Sequence, residues 1–365
     1  MATNQITFFS CSNGDTSLIE AHDITIMTDI HYRANDAEDN DNDNVLDFAP
    51  KIRDACNDDY CDIFILTHPD EDHLRGFDQI FHVGNPNSRD DDPDEGDVKI
   101  IVNEIWCSPY SADPNYTTDV SKVLLDEIKR RKNLTGDTAE QDGNRLKIFT
   151  ATDAELVELQ SGISYRILAP TEDEADIEET DEDEENNSSN PSSLVVQWNI
   201  TVGDETSKII LGGDSTVEIW ERMEDDYDDD CLSWDILLSP HHCSRHSMGR
   251  KDASNDTFTF SEDAIAALNH PIGDKAHVVA SCRKFGSKHP PHPDARTKYH
   301  NILADGGDVT DDVKSRFMVT DGKKGEDPED VKFKFTSSGP TKAALAAPII
   351  MKTPSSSGGG GYGNG

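Results

Sequence analysis

The stretch Asp62-Ile63-Phe64-Ile65-Leu66, followed after one threonine by His68-Pro69-Asp70-Glu71-Asp72-His73, most restricts what this chain can fold into. A short apolar run without polar alternation is a strand covered on both faces, and such strands belong to sheets with a layer on each side. The run stops where His68, Asp70, Asp72 and His73 fall within six residues. A turn there projects several of them from one sheet edge into one pocket. Hard carboxylates beside imidazoles suit Zn²⁺, Mn²⁺ or iron, and the carboxylate share tilts the set toward Mn²⁺ or a mixed site. For this segment alone, the alternative is a solvated polar loop in an acidic protein.

The rest of the chain reads as more of the same layered α/β pattern. Short strands are expected at 6–10, 17–21 and 24–29, separated by turns at Asn13-Gly14-Asp15 and His22-Asp23. Further strands are expected at 98–106, 163–168, 194–201, 208–211, 234–239, 277–281, 316–320 and 331–335, and helices at 47–55, 120–132, 215–223 and 293–303. Thr171 to Ser189 is almost devoid of apolar residues and reads as a structureless acidic insertion. The Gly/Ser-rich end reads as a flexible tail. The expected organisation is therefore one domain over 1–340, with the insertion at about 171–189, and a tail over 341–365. No apolar run reaches the roughly eighteen residues of a transmembrane helix, and no basic segment leads into an apolar one at the start. Seven scattered cysteines, an odd number, fit reduced thiols in a cytoplasmic protein better than a disulfide framework.

Thr67 to Gly76 resembles the HxHxDH motif of the metallo-β-lactamase superfamily, in the SHxDxDHxxG form of the hydrolase domain in ComEC-type competence proteins. Thr67 stands where serine is usual, and Asp70 where most of the superfamily has a second histidine. Other segments resemble the family in the same order. Asn13 to Glu20 is similar to the GxGDxxLI turn, and Ile24 to Asp29 to the next strand, with Ile30-His31 replacing a small residue and Gly. Tyr165 to Pro170 and Asn190 to Val196 resemble the two halves of LxP…NxxSLVL. Ile209 to Asp214 resembles the strand ending in GD. Asp235 to Ser244 resembles DVLKVPHHGS, with Cys243 in place of Gly, and Lys288 to Pro293 resembles GHPHP.

The resemblance implies an α/β fold, a four-layer αββα sandwich, and a hydrolase with one or two divalent ions, Zn or Mn. His68 and Asp70 would serve one ion, and Asp72, His73 and one of His241 and His242 the second. Asp214 would bridge. His241 is placed among the ligands and His242, with Asp72 and Asp214, among the catalytic groups, although the order of that pair is open. From the residues alone, Asp214 after Gly212-Gly213 either bridges cations or caps a helix starting at Ser215. The third histidine usual at the first ion is missing: only His82 lies between His73 and Asp214, close to the motif. Asn190, water or substrate would complete that ion's shell. Asn190, Ser193, Lys284, His289 and His292 are the expected substrate contacts.

The net charge of -40 repels nucleic acid and anionic membranes at long range. Between His241 and His300, however, lie Arg245, His246, Arg250, Lys251, Arg283, Lys284, Lys288, His289, His292, Arg296 and Lys298. This run is either a cationic rim admitting an anionic substrate, nucleic acid or nucleotide, or a scattered solvated surface. The leading expectation is a phosphodiesterase or nuclease. A small-molecule hydrolase of lactones, thioesters or cyclic nucleotides is the second. The third is a non-catalytic metal-binding module, recruiting protein partners through the acidic insertion or the tail.

Overall fold

Side-chain alternation along the apolar runs sorts the interior into three separate cores. The computed structural model describes residues 3–33, 46–57, 59–89, 98–114, 117–177, 189–252, 254, 257–286, 290–322 and 328–343. The strands are β1 (Gln5–Phe8), β2 (Ser17–Ala21), β3 (Ile24–Thr28), β4 (Tyr60–Leu66), β5 (Ile101–Cys107), β6 (Arg145–Ile148), β7 (Val157–Gln160), β8 (Ile163–Ala169) and β9 (Val195–Val202). There follow β10 (Glu205–Leu211), β11 (Ile236–Leu238), β12 (Gly249–Lys251), β13 (Phe258–Phe260), β14 (His277–Ala280), β15 (Phe317–Val319), β16 (Val331–Thr336) and β17 (Gly339–Lys342). One sheet has the order β17-β16-β1-β2-β3-β4-β5-β6 and the other β15-β14-β11-β10-β9-β8-β7; β12 and β13 form a small hairpin.

Ile63 and Ile65 of β4 meet Ile209, Leu211, Ile236 and Leu238 between the two sheets. Their neighbours Phe64 and Leu66 point the other way, onto Phe48, Ile52, Phe77, Phe81, Leu124 and Ile128. On the second sheet Ile210, Leu237 and Val278 likewise face Val217, Trp220, Met223, Leu268, Tyr299 and Ile302. Helices at Ala49–Ala55 and Lys122–Lys132 cover one sheet, and those at Val217–Asp226, Glu262–Leu268 and Pro293–Ala304 the other. The fold is thus the four-layer αββα sandwich expected from the sequence. Each inner strand buries both faces, which is why its run shows no polar alternation.

The strands nearest the centre of each sheet run parallel: β3 with β4, β4 with β5, β10 with β11, and β11 with β14. Their carboxyl ends therefore gather at one rim, where open α/β sheets place ligands. β1 is antiparallel to β2, and β2 to β3, so the turn after β1 reaches the same rim.

Two sequence expectations need correction. Thr171 to Asp176, read as part of a structureless insertion, contains a helical turn, Glu172–Ala175, with a complete Thr171/Glu174 capping box. Arg222 pairs with Glu174 and neutralises it, so local charge is balanced where the composition suggested repulsion. Residues 178–188 and 344–365, the remainder of the insertion and most of the tail, lie outside the described residues. The second correction is local: β6, β7, the β12–β13 hairpin, β17 and the helix Glu262–Leu268 were not anticipated. β6 and β7 are edge strands, too exposed to carry a strong apolar signature. All seven cysteines are free and buried, and among the described residues no helix is long and apolar enough to cross a membrane.

Asp235 leads into β11 with its carboxylate Oδ2 accepting the Lys208 backbone N–H at 2.8 Å. Burial pushes its pKa from 3.8 up to about 6. The folded state therefore holds the proton more tightly than the unfolded chain, and stability falls as pH rises through that window. Asp235→Asn keeps an acceptor oxygen without the buried charge. We expect it to unfold at higher urea than the wild type at about pH 8, by on the order of 2 kcal/mol, with the advantage gone at about pH 4.

Candidate metal centre

Five chain segments deliver the site to the sandwich rim. The turn after β4 carries His68 to His73, with a single helical turn at Glu71–Leu74. Asp70 occupies the N-cap position of that turn without a side-chain capping bond. Its carboxylate instead accepts from the Ser189 hydroxyl. The turn after β1 supplies Asp15, whose backbone N–H bonds to the Asp72 carbonyl at 3.2 Å. The end of β3 supplies Asp29, the end of β10 supplies Asp214, and the turn after β11 supplies His241 and His242. The following helix has Thr216 at its N-cap position, without a side-chain capping bond, so Asp214 is not its N-cap residue.

Three imidazoles share one arrangement. His73 Nδ1 lies 2.7 Å from Asp29 Oδ2. His68 Nδ1 lies 3.1 Å from Thr67 Oγ1, and that hydroxyl donates to Asp29 Oδ2 at 2.7 Å. His242 Nδ1 lies 3.0 Å from the Ser281 carbonyl. Each Nδ1 thus has a protein acceptor, which assigns its proton and leaves Nε2 as the free end. The Nε2 atoms of His68, His73 and His242 are all buried without a hydrogen-bond partner, as is Oδ1 of Asp214. Orphaned buried groups of this kind are costly, and four of them converging on one point fit a cation. One ligand atom from each of Asp15, His73, Asp214 and His242 lies within 4.8 Å of all the others.

Asp214 divides the site. Its Oδ1 lies 3.2 Å from His73 Nε2 and 3.5 Å from His242 Nε2. Its Oδ2 lies 3.7 Å from His241 Nε2 and 4.0 Å from His68 Nε2. Asp72 belongs with the first pair, 3.2 Å from His242 Nε2, and Asp70 with the second, 3.6 Å from His68 Nε2. His241 and His242 face opposite oxygens because Pro240–Cys243 is not a regular helix. His241, His242 and Cys243 all have positive φ, of 50°, 51° and 62°. Three successive left-handed residues that are not glycine are strained, by roughly 1–2 kcal/mol each. The His241 N–H bond to the Gly213 carbonyl, at 3.0 Å, fixes this turn beside Asp214.

The electrostatics follow from that crowding. Burial opposes ionisation of Asp214, but His242, His241 and His73 overcome it and hold the carboxyl well below its ordinary range. Burial would likewise lower His73 and His242, yet Asp214 with Asp29 raises the former, and Asp214 with Asp15 and Asp72 the latter, well above the usual imidazole value. Divalent cations compete with such protons, so any metal affinity of the cluster is expected to weaken as pH falls. His241 goes the other way: burial keeps it neutral despite Asp214.

His68, Asp70, Asp72, His73, Asp214, His241 and His242 come together. The buried His242 sits in the tightest group, and His241, its side chain 28% exposed, faces the other oxygen of Asp214. Asn190 and Ser193 lie in the turn between Ser189, whose hydroxyl donates to Asp70, and Leu194, whose N–H bonds to the Thr67 carbonyl. His82 bonds to Asn85 near the surface. His292 approaches through its N–H bond to the Cys243 carbonyl. Lys284 is half-buried beside Arg283, whose N–H is held by Asn13. His289 lies outside the described residues.

Three residues at this rim were not among the expected site residues. Asp15 had only its turn as a signal, and Asp29 only its place at a strand end. His31 is buried against Gly14, its pKa pushed down to about 3 by burial. Gly14 has φ of +140°, and a Cβ there would overlap the His31 ring and lie 2.8 Å from the Asp72 carbonyl. Gly14→Ala is therefore expected to push apart the Asp15 and Asp72 segments and weaken metal retention about tenfold or more. Metal content after dialysis checks this; retention at the wild-type level would show that the turn yields instead.

No protein-family model and no curated protein matches the chain. Among solved structures it is similar to Igni18, described as a novel metallo hydrolase from the hyperthermophilic archaeon Ignicoccus hospitalis KIN4/I. Identity is 12% over 91% of this chain and 100% of that one, with a TM-score of 0.43. It is also similar to the metallo-β-lactamase fold protein YhfI from Bacillus subtilis, at 12% identity over 90% and 98% of the two chains and a TM-score of 0.36. A third likeness is to the β-hydroxylase CmlA, at 13% identity, covering 86% of this chain, with a TM-score of 0.41; this chain spans 52% of that one. These likenesses are low in identity and in TM-score, and they assign neither activity nor substrate.

Proposed function

We propose that this protein is a metal-dependent hydrolase of the metallo-β-lactamase type, acting on a phosphodiester bond. The observation that carries the reading is the set of inward, partnerless Nε2 atoms of His68, His73 and His242 around the two oxygens of Asp214. His73, His242, Asp214 and Asp72, with Asp15 behind them, would hold one divalent ion, Zn or Mn. His68, Asp70, His241 and the other oxygen of Asp214 would hold a second, His241 taking the place of the missing histidine. When bound, such ions supply Lewis-acid polarisation of the scissile group and lower the pKa of water. Asp72, with a side chain 37% exposed and held ionised by His242 and His73 against the cost of burial, would accept the proton from the attacking water. His241 presents a neutral imidazole at the mouth.

The anionic preference rests on the flank beside His241. His246 is exposed there, with Arg245, His241, His292 and Lys251 near enough to lower its pKa after burial. The rim is narrower than the sequence run suggested. Arg250 is paired with Glu218 and Glu221, Arg296 lies over Phe285, and Lys298 over Phe260.

A second reading, hydrolysis of a small molecule, is favoured by the opposite flank. Helices Pro109–Ala112 and Glu172–Ala175 pack on the Asn190–Ser192 turn around a cavity of about 480 Å³ lined by Asp113, Glu172 and Asp176. Those carboxylates disfavour a long polyanion. The test is turnover of single- and double-stranded DNA, RNA, cyclic dinucleotides, a lactone and a thioester with Mn²⁺ or Zn²⁺. Phosphodiester cleavage is expected. Turnover of the lactone or thioester alone would replace the first reading with the second, and failure to bind either metal would end both.

A further inference from the structure

Given the metal-dependent reading of the cluster, we infer that His31 is a positioning residue, its ring a wedge that keeps Asp15 and Asp72 in register beside His242. Ile30-His31 replaces the small residue and Gly of the motif it resembles, so the ring is this chain's own addition. Only 6% of the His31 surface is exposed. A Cβ on Gly14 would fall 2.0 Å from His31 Nδ1 and 2.6 Å from its Cγ, so the ring fills the space that glycine leaves. The same Cβ would lie 2.8 Å from the Asp72 carbonyl. Ring and carbonyl therefore meet at one face of Gly14.

The backbone around His31 is tied to both carboxylate segments. Its N–H donates to Thr16 Oγ1 at 2.8 Å, and that hydroxyl donates to the Asp15 carbonyl at 2.7 Å. On either side, the Ile30 N–H bonds to the His73 carbonyl and the Tyr32 N–H to the Arg75 carbonyl, each at 2.9 Å. Residues 30–32 thus join the Gly14–Thr16 turn to the Asp72–Arg75 turn, and the ring sets how closely the two approach. Asp15 Oδ1 lies 3.5 Å from His242 Nδ1, and Asp72 Oδ2 lies 3.2 Å from His242 Nε2. A shift of either turn therefore moves a carboxylate relative to the same imidazole. Burial keeps the His31 ring neutral despite Asp72, so the wedge adds no charge to repel a cation, as Lys or Arg would.

The test uses the full chain with Mn²⁺ or Co²⁺ alone and no substrate. Asparagine reproduces Cγ and places an atom at the Nδ1 position, the two ring positions nearest Gly14, whereas alanine reproduces neither. Mn²⁺ affinity, measured by competition with a chelator, should fall about tenfold or more in His31→Ala and return to within about threefold of wild type in His31→Asn. The visible bands of bound Co²⁺, which report the ligands around the ion, should shift in His31→Ala and revert in His31→Asn. They are read on folded protein, so a loss of stability alone does not move them. Where His31→Ala fails to fold, His31→Val, which stops at Cγ, takes its place. Wild-type affinity with wild-type Co²⁺ bands in the Ala or Val variant overturns the proposal and leaves the hydrolase reading standing. Failure of the wild type to bind either ion overturns both.

Discussion

Asp214→Asn is expected to abolish metal retention and hydrolysis together while leaving the fold intact. Among the described residues, Asp214 is the one side chain that faces His73 and His242 with one oxygen and His68 and His241 with the other. Asparagine fills the same volume but offers a single acceptor, and its amide group would aim N–H donors where a lone pair or a cation belongs. Loss of one ligand's supporting partner already costs about 10–100-fold in metal affinity, and loss of a ligand shared by two ions costs more. Turnover should fall by about three orders of magnitude or more. Elemental analysis and turnover on the same folded sample check this. Wild-type metal content in Asp214→Asn would place the ions elsewhere, and wild-type turnover without metal would end the hydrolytic role of the cluster.

The second large effect is expected away from the ligands. Asp29 is fully buried and receives the Thr67 N–H at 2.8 Å, the Thr67 hydroxyl at 2.7 Å and His73 Nδ1 at 2.7 Å. Burial raises its pKa and His73 opposes the rise, so the two groups depend on each other. Asp29→Ala strands those donors in the interior and leaves His73 without its anchor. We expect a stability loss of about 3–5 kcal/mol, the range for removing one partner of a buried charged pair. Metal affinity in the surviving folded protein should fall about 10–100-fold, because His73 and, through Thr67, His68 lose their fixed orientation. Asp29→Asn should recover part of the stability but less of the metal affinity. Urea unfolding with and without metal separates the two losses, and an Asp29→Ala variant with unchanged metal affinity would show that the rings are oriented by packing alone.

Much of this candidate site was legible in the sequence because the residues that meet there sit where strands end. Asp62 to Leu66 and Ile209 to Leu211 are apolar runs that stop abruptly, and His68 and Asp214 follow within three residues of each stop. What could not be read was which turns meet. Asp15 sits in the turn between β1 and β2, which the sequence showed, but its meeting with the distant Asp72, His73, Asp214 and His242 left no trace there. The order of His241 and His242 depends on three left-handed residues, a backbone state that no propensity suggests for this tripeptide. The ordered start of the acidic segment needed Arg222, which lies 48 residues from Glu174. Charge runs read in isolation therefore misjudged both that segment and the width of the cationic flank.

The Pro240–Cys243 turn has a consequence for how the two halves of the site fill. Neighbouring α-carbons are about 3.8 Å apart whatever the side chains do, so His241 and His242 reach the two oxygens of Asp214 from a span set by a single peptide unit. That unit acts as a gauge block. Releasing either ring lets the strained turn relax toward ordinary backbone and carries the other ring out of place. Under the proposed two-ion reading, filling of the two halves would therefore be mechanically linked, with partial loading disfavoured.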